Sequence, residues 1–384
     1  MRLYDRTSDE LRDVELRPRM GVYVCGITPY DSAHLGHAFT YTHFDVLVRY
    51  LRHLGVEVVH VQNVTDVDDD ILRVAKERGV DFRELAAGET ERFEALMRAI
   101  GVAAPTHSPR ATEFVPQMVE EVRAIVDSGH AYERDGTVYF SVASDPGYGR
   151  LSGYSRETML ELAAERGGHP EDPRKEDSLD FVLWQRSEPG EPWWESPWGR
   201  GRPGWHIECS TMARGLLGQP VDVHGGGSDL VYPHHESEIA QAESLPGGRP
   251  FVRRWVHTGE VHQDDEKMSK SLGNMTFVDD LLEEFEPDAV RRFLLRRHYR
   301  RDWTFHREQL EAEAAGPMYR KMSWADEVEP TREAFLRALD DDLDTPKALT
   351  ILERATVRED QDWVTEGASV LGLADLPVAP PGRA

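Results

Sequence analysis

The chain has 384 residues, with 45 Lys and Arg against 70 Asp and Glu, for a formal net charge of −25. That balance argues against a protein built chiefly to grip a polyanion, because phosphate contacts require clustered Lys and Arg. Its two cysteines, Cys25 and Cys209, are too few for a disulfide framework, so a reducing, cytoplasmic compartment is expected. No apolar run approaches the ~20 residues that span a bilayer, and neither a leader nor a membrane anchor is expected.

Residues 21–28 (GVYVCGIT) read as a short strand running into a loop. Residues 39–55 (FTYTHFDVLVRYLRHLG) place Phe44, Val46, Leu47, Tyr50 and Leu51 at helical spacing, with Gly55 as the stop. Residues 56–65 (VEVVHVQNVT) read as a buried strand, and 68–79 as a helix whose opening aspartates suit its N-terminus. Strand, helix, strand, helix at this spacing is a βαβ unit and predicts a parallel sheet with crossover helices. A helical stretch over 82–131, a strand at 137–142 and a long irregular segment to about 203 follow. That segment is rich in Gly, Pro and Trp and reads as an insertion between two halves of the sheet. The α/β pattern resumes with GWHIECS leading into a helix, a strand at 221–227, a helix at 233–244 and a strand at 253–261. From about 276 the pattern is helical, and the Pro-rich end is expected to fray.

The fold class expected is α/β, a Rossmann-like doubly wound parallel sheet with an insertion and a C-terminal helical region. The divisions are 1–110 and 204–275 for the two halves of the catalytic domain, 111–203 for the insertion, 276–372 for the helical domain and 373–384 for the tail.

Two short motifs suit a polyphosphate. His34-Leu35-Gly36-His37, between a strand and a helix, offers backbone donors, a favourable dipole end and two imidazoles. Lys267-Met268-Ser269-Lys270-Ser271 holds two of only six lysines in the chain, and a loop carrying them can close on a triphosphate and its departing pyrophosphate. No GxxxxGK[ST] is present, so the nucleotide site is not a P-loop. Cys25 ends the first strand, Cys209 enters a later helix and His234 opens another. Strand ends in a doubly wound sheet converge on one crevice, where two thiolates and an imidazole form an open metal site. Glu238, at i+4 from His234, shares its helix face and can add an oxygen. By spacing alone, two buried free cysteines and a surface histidine fit better, because the three are remote in sequence.

Taken together, HLGH and KMSKS on a two-half α/β sheet resemble the signature pair of class I aminoacyl-tRNA synthetases. YVCGITPYDSAHLGHAFTY, VQNVTDVDDDIL, GRPGWHIECS, HGGGSDL and PHHESEIAQAES resemble its cysteine-activating branch, which holds cysteinyl-tRNA synthetases and the mycothiol ligase. The resemblance runs from about residue 20 to 300. It implies one Zn2+ on Cys25, Cys209, His234 and Glu238, and ATP with Mg2+ as substrate. It implies that Cys25, Gly26, Ile27, Thr28, Thr40, Asn63, Val64, Thr65, Trp205, Gly227, Ser228, Asp229 and Val261 line a cysteinyl adenylate. It also implies that His34, His37, Lys267 and Lys270 act on the phosphates. The Gly225–Gly227 run is expected to let backbone approach the nucleotide.

The branch divides by acceptor: a tRNA ribose hydroxyl, or the sugar amine of glucosaminyl-inositol. Ile27 and Pro29 in the first loop, and Glu-Arg-Gly-Gly-His-Pro at 165–170, resemble the ligase. The roughly 110 residues past KMSKS also leave little room for an anticodon-reading domain. Glu238 and IAQAES resemble the synthetase. The expected function is ATP-dependent activation of L-cysteine and its transfer to glucosaminyl-inositol by a monomer, with tRNA and membrane as unlikely partners. The alternatives are a truncated cysteinyl-tRNA synthetase and a paralogue that cysteinylates another small amine.

Overall fold

A computed structural model describes residues 1–247, 249–263, the backbone of 266–267, and residues 275–316, 329–356 and 362–374. An antiparallel hairpin, β1 (Arg2–Asp5) and β2 (Glu10–Asp13), precedes the first βαβ unit. That unit is β3 (Arg19–Ile27), α1 (Leu35–His53) and β4 (Glu57–Val64), followed by α2 (Asp69–Arg78) and α3 (Phe82–Ala99). Asp68 caps α2 by accepting a hydrogen bond from the Asp70 N–H at 2.9 Å, and Gly79 closes the helix in the left-handed region at φ 67°. α1 begins four residues before the expected start because His34 supplies its N-cap.

The expected helix over 82–131 is two helices. Gly101 at φ 78° and Pro105 and Pro109 interrupt it, and α4 (Val115–Asp127) starts afresh. The irregular segment to 203 is also more ordered than its composition suggests. It holds α5 (Arg156–Glu165), β7 (Phe181–Arg186) and β8 (Gly201–Pro203), after β5 (Ala131–Arg134) and the expected strand, β6 (Thr137–Phe140). The four strands form an antiparallel sheet in chain order, with Pro203 on the edge strand, where a missing N–H is tolerated.

The second half of the core comprises α6 (Trp205–Leu217), β9 (Val223–Gly227), α7 (His234–Ser244) and β10 (Trp255–Thr258). The strand expected over 253–261 is divided: β10 joins the main sheet, whereas β11 (Val261–Gln263) pairs with β12 (Glu266–Lys267) and β13 (Trp303–Phe305). β13 interrupts a region expected to be wholly helical, between the pair α8 (Val278–Glu284) and α9 (Pro287–Leu295) and the later helices α10 (Arg307–Ala314), α11 (Arg332–Asp340), α12 (Thr345–Ala355) and α13 (Asp362–Leu371). Buried Arg291 binds them to the core, donating to Asp45 at 2.5 Å, to the Leu371 carbonyl at 2.6 Å and to the Ile100 carbonyl at 3.0 Å. Of the expected tail, Leu373 is packed in the core, and residues 375–384 lie outside the described residues.

The main sheet runs β10-β9-β3-β4, parallel throughout. β3 and β9, one from each half, are neighbours, so the two halves part at their carboxyl ends and leave a crevice there. The twofold alternation of β3 decides what faces it. Met20, Val22 and Val24 pack toward α1, and Tyr23 and Cys25 pack in the second core cluster with α6 and α7.

Candidate active site

At the carboxyl ends of β3 and β9 lies a cavity of about 1060 Å³. Its floor meets a dry group of side chains. Cys25 Sγ lies 3.9 Å from Cys209 Sγ and 3.7 Å from Glu238 Oε1, and Glu238 Oε1 lies 3.1 Å from His234 Nε2. The donor atoms of these four residues all fall within 4.8 Å of one another, and all four side chains are buried. The first strand and two helices deliver them: the end of β3 carries Cys25, the first turns of α6 carry Cys209, and one face of α7 carries His234 and Glu238. Burial, then Cys209 and Glu238, push the Cys25 thiol up, and burial and Cys209 push Glu238 up. Burial pulls His234 down. These directions describe a group that resists charge unless a cation compensates it, and Glu238 Oε2 has no hydrogen-bond partner. The group could hold a metal ion. Cys25 and Glu238 also complete a second such set with His224 and His235, at 3.6 and 3.3 Å from Cys25 Sγ.

Around this floor, neighbouring rings fix the imidazoles. His206 Nδ1 lies 2.9 Å from His234 Nδ1, Trp205 stacks obliquely on His234 with centroids 4.2 Å apart, and His257 Nε2 lies 2.8 Å from His235 Nδ1. Burial pulls His206 and His257 down to about 3, so both are neutral at physiological pH.

At the rim, His34 and His37 cap α1 reciprocally. The His37 N–H donates to His34 Nδ1 at 3.3 Å, and the His34 N–H donates to His37 Nδ1 at 3.4 Å, with the rings stacked at 3.6 Å. Because each Nδ1 accepts, each neutral ring carries its proton on Nε2, the donor form that suits a phosphate oxygen. Gly26 lies against β4: a Cβ there would come within 1.5 Å of the Asn63 carbonyl oxygen, and the Gly26 N–H donates to Asn63 Oδ1 at 2.8 Å. Tyr41 donates to the Cys25 carbonyl at 3.0 Å, and Thr40 and Thr258 hydroxyls meet at 2.7 Å.

The opposite wall comes from the insertion. Arg166, just past α5, donates to the carbonyls of Asp229 and Tyr232, and so clasps the turn that leads into His234. The Leu151 and Ser152 N–H groups donate to Glu236 of α7 at 3.0 and 2.9 Å, a second tie between insertion and core.

The chain is similar to known proteins over most of its length. A family model described as tRNA synthetases class I (C) catalytic domain matches residues 13–315. The chain belongs to this family. It is 45% identical over 372 residues to the L-cysteine:1D-myo-inositol 2-amino-2-deoxy-alpha-D-glucopyranoside ligase of Thermobispora bispora, covering 96% of this chain and 92% of that one. It is 39% identical over 418 residues to the cysteine–tRNA ligase of Trichlorobacter lovleyi, covering 97% and 85%. A solved methionyl-tRNA synthetase of Mycobacterium tuberculosis, in complex with methionyl-adenylate, shares the fold at a TM-score of 0.66 and 18% identity, over 93% of this chain and 88% of that one.

Within this class I synthetase fold, the sequence-derived residues separate into three groups. Cys25, Gly26, Ile27, Thr28, His34, His37, Thr40, Trp205, Gly227, Asp229, His234 and Val261 line the cavity. Asn63, Val64, Thr65, Cys209 and Glu238 are buried and do not line it; Asn63 touches the lining through Gly26, and Cys209 and Glu238 through Cys25. Ser228 does not line it either. Lys270 and the side chain of Lys267 lie outside the described residues. The glycine run serves the sheet as much as any ligand: a Cβ on Gly225 would come within 1.9 Å of the Val256 carbonyl oxygen. Sequence reasoning missed His206, His224 and His235, and it missed the whole insertion wall. The histidines stood inside motifs already quoted. Nothing local ties residues 135–188 to the crevice.

Proposed function

We propose that this chain activates L-cysteine with Mg·ATP as cysteinyl-AMP and transfers the cysteinyl group to the amine of the amino-sugar inositol named in its ligase relatives. The observation that carries the reading is the pair of thiols, with His234 and Glu238, at the floor of a cavity whose rim bears the His34/His37 cap. Sequence likeness over nearly the full length of four such ligases supports the acceptor.

In this reading Cys25, Cys209, His234 and Glu238 hold Zn2+. When bound, the ion supplies a soft position that favours a substrate thiolate over the hydroxyl of serine. A purely steric pocket would discriminate those two substrates by only roughly 1–3 kcal/mol. His206 and Trp205 keep the His234 ring in place from behind. Asp229, its carbonyl held by Arg166, takes the substrate ammonium or the ribose. The substrate carboxylate attacks the α-phosphorus, pyrophosphate leaves, and His34 and His37 donate from Nε2 to the charged oxygens, with Lys267 and Lys270 assigned to the leaving group. The acceptor, as the neutral amine, then attacks the carbonyl carbon; the C–N bond forms, the bond from that carbon to the AMP oxygen breaks, AMP leaves and the nitrogen gives up one proton to water.

Two assays test this. Cysteine-dependent pyrophosphate exchange is expected, with serine at least about a hundredfold poorer; no exchange with cysteine overturns the activation step. Mass spectrometry of reactions supplied with the amino sugar or with tRNA then reads the acceptor, and charging of tRNA alone overturns the transfer step.

A further inference from the structure

One stretch of the cavity wall is acidic and only partly compensated. Three consecutive aspartates, Asp68, Asp69 and Asp70, line it at the start of α2. Asp69 accepts a hydrogen bond from buried Arg202, and Asp70 accepts one from Arg73 at 2.7 Å. Asp68 forms no ion pair among the described residues. One of its oxygens caps α2. Glu208 lines the same cavity from α6, is 1% exposed, and its Oε2 has no hydrogen-bond partner. An unpartnered carboxyl oxygen buried to this extent is costly unless a donor arrives from the cavity.

We infer that Asp68 and Glu208 form the binding site for the acceptor's amino group, on the side of the cavity where α2 and α6 begin. This rests on the function proposed above. A primary ammonium has three donors and one charge, which matches two carboxyl groups that form no ion pair among the described residues, and it passes one proton to the Asp68 carboxylate so that the neutral amine attacks. A hydrated Mg2+ would instead need near-octahedral oxygen ligation, and the neighbouring Asp69 and Asp70 are already taken by arginines. The site therefore selects an amine over a hydroxyl at the attacking position. A hydroxyl brings no positive charge and leaves at least one carboxylate uncompensated.

The test uses the full chain and two sugars: the amino-sugar inositol and its counterpart with a hydroxyl in place of the amine. Asp68→Asn keeps an effective N-cap, so α2 is preserved. Glu208→Gln keeps size and loses only charge. In each variant the KM for the amino sugar is expected to rise about tenfold or more, while the inhibition constant of the hydroxyl sugar stays within about twofold. Equal weakening of both sugars, or no change in either, overturns the amine site. Wild-type enzyme that exchanges pyrophosphate on cysteine yet transfers nothing to the amino sugar overturns the acceptor reading and the amine site with it. Amine-selective loss supports both.

Discussion

The parallel sheet and the insertion sheet each contribute one wall of the cavity, and they treat polar groups in opposite ways. Below the parallel sheet, Cys25, Cys209, His224, His234, His235 and Glu238 are all buried and partnered largely by one another. In the insertion, Asp172 accepts two hydrogen bonds from the Arg174 guanidinium, at 2.9 and 2.8 Å, one from the Arg174 N–H at 3.0 Å and one from Tyr139 at 2.7 Å, and Arg156 pairs with Asp177 at 2.7 Å. One wall holds groups whose charge is suppressed by burial until a cation or substrate arrives. The other consists of acids already neutralised at the surface. Chemistry belongs to the first wall because only there does a new charge find low dielectric and preorganised donors.

The largest expected effect comes from breaking the dry wall. Cys209→Ser should reduce bound metal, read by elemental analysis of the purified chain, and lower cysteine-dependent pyrophosphate exchange by more than the ~10–100-fold typical of losing a group behind a metal ligand. Full metal content in that variant would remove Cys209 from the ligand set. Next, Gly26→Ala forces a methyl onto the Asn63 carbonyl. It should cost about 3 kcal/mol or more in urea unfolding. An unchanged midpoint would mean that β3 and β4 can part without penalty.

Acid should then separate the two regions. Burial depresses His43 and His60 of the core to about 4. A depressed folded value means that the native state binds fewer protons, so their contribution is fully present above the unfolded value near 6.5 and is lost as pH falls toward 4. At pH 5 each should have cost about 2 kcal/mol. The Arg174 hydrogen bonds hold Asp172 well below the usual carboxylate range, so the insertion keeps its pair through this window. Hydrogen exchange at pH 5 should show the α1 and β4 amides loosening while β6 and β7 hold; simultaneous loosening would contradict the contrast. The smallest effect is Asp172→Asn, at most about 1 kcal/mol by thermal melt, because its arginine is 43% exposed and solvent screens the pair.

The first βαβ unit was legible in the sequence for local reasons. A fully buried parallel strand is a continuous apolar run, as in Val22–Cys25, and α1 repeats its apolar residues at helical spacing. HLGH was legible too, because a helix cap is made within four residues. The antiparallel insertion sheet was obscured: β5, β7 and β8 are short, and Gly, Pro and charged residues surround them.

By itself, the sequence determined the parallel α/β core, the His34/His37 rim and the chemical types available: two thiols, a set of imidazoles and a carboxylate at i+4 from one of them. Tertiary structure alone decided which of these meet. Cys25 and Cys209 stand 184 positions apart, and Asp68 and Glu208 stand 140 apart. The cysteines meet, and the two acids line one cavity, because β3 ends and α2 and α6 begin at the same crevice. Strand alternation turned Cys25 toward α6 and α7, and the long-range ties from Arg166 and Glu236 brought the insertion over the opening. Contacts of that separation leave no periodic trace in a sequence, since their cost is a chain-closure entropy offset only once the whole core is packed.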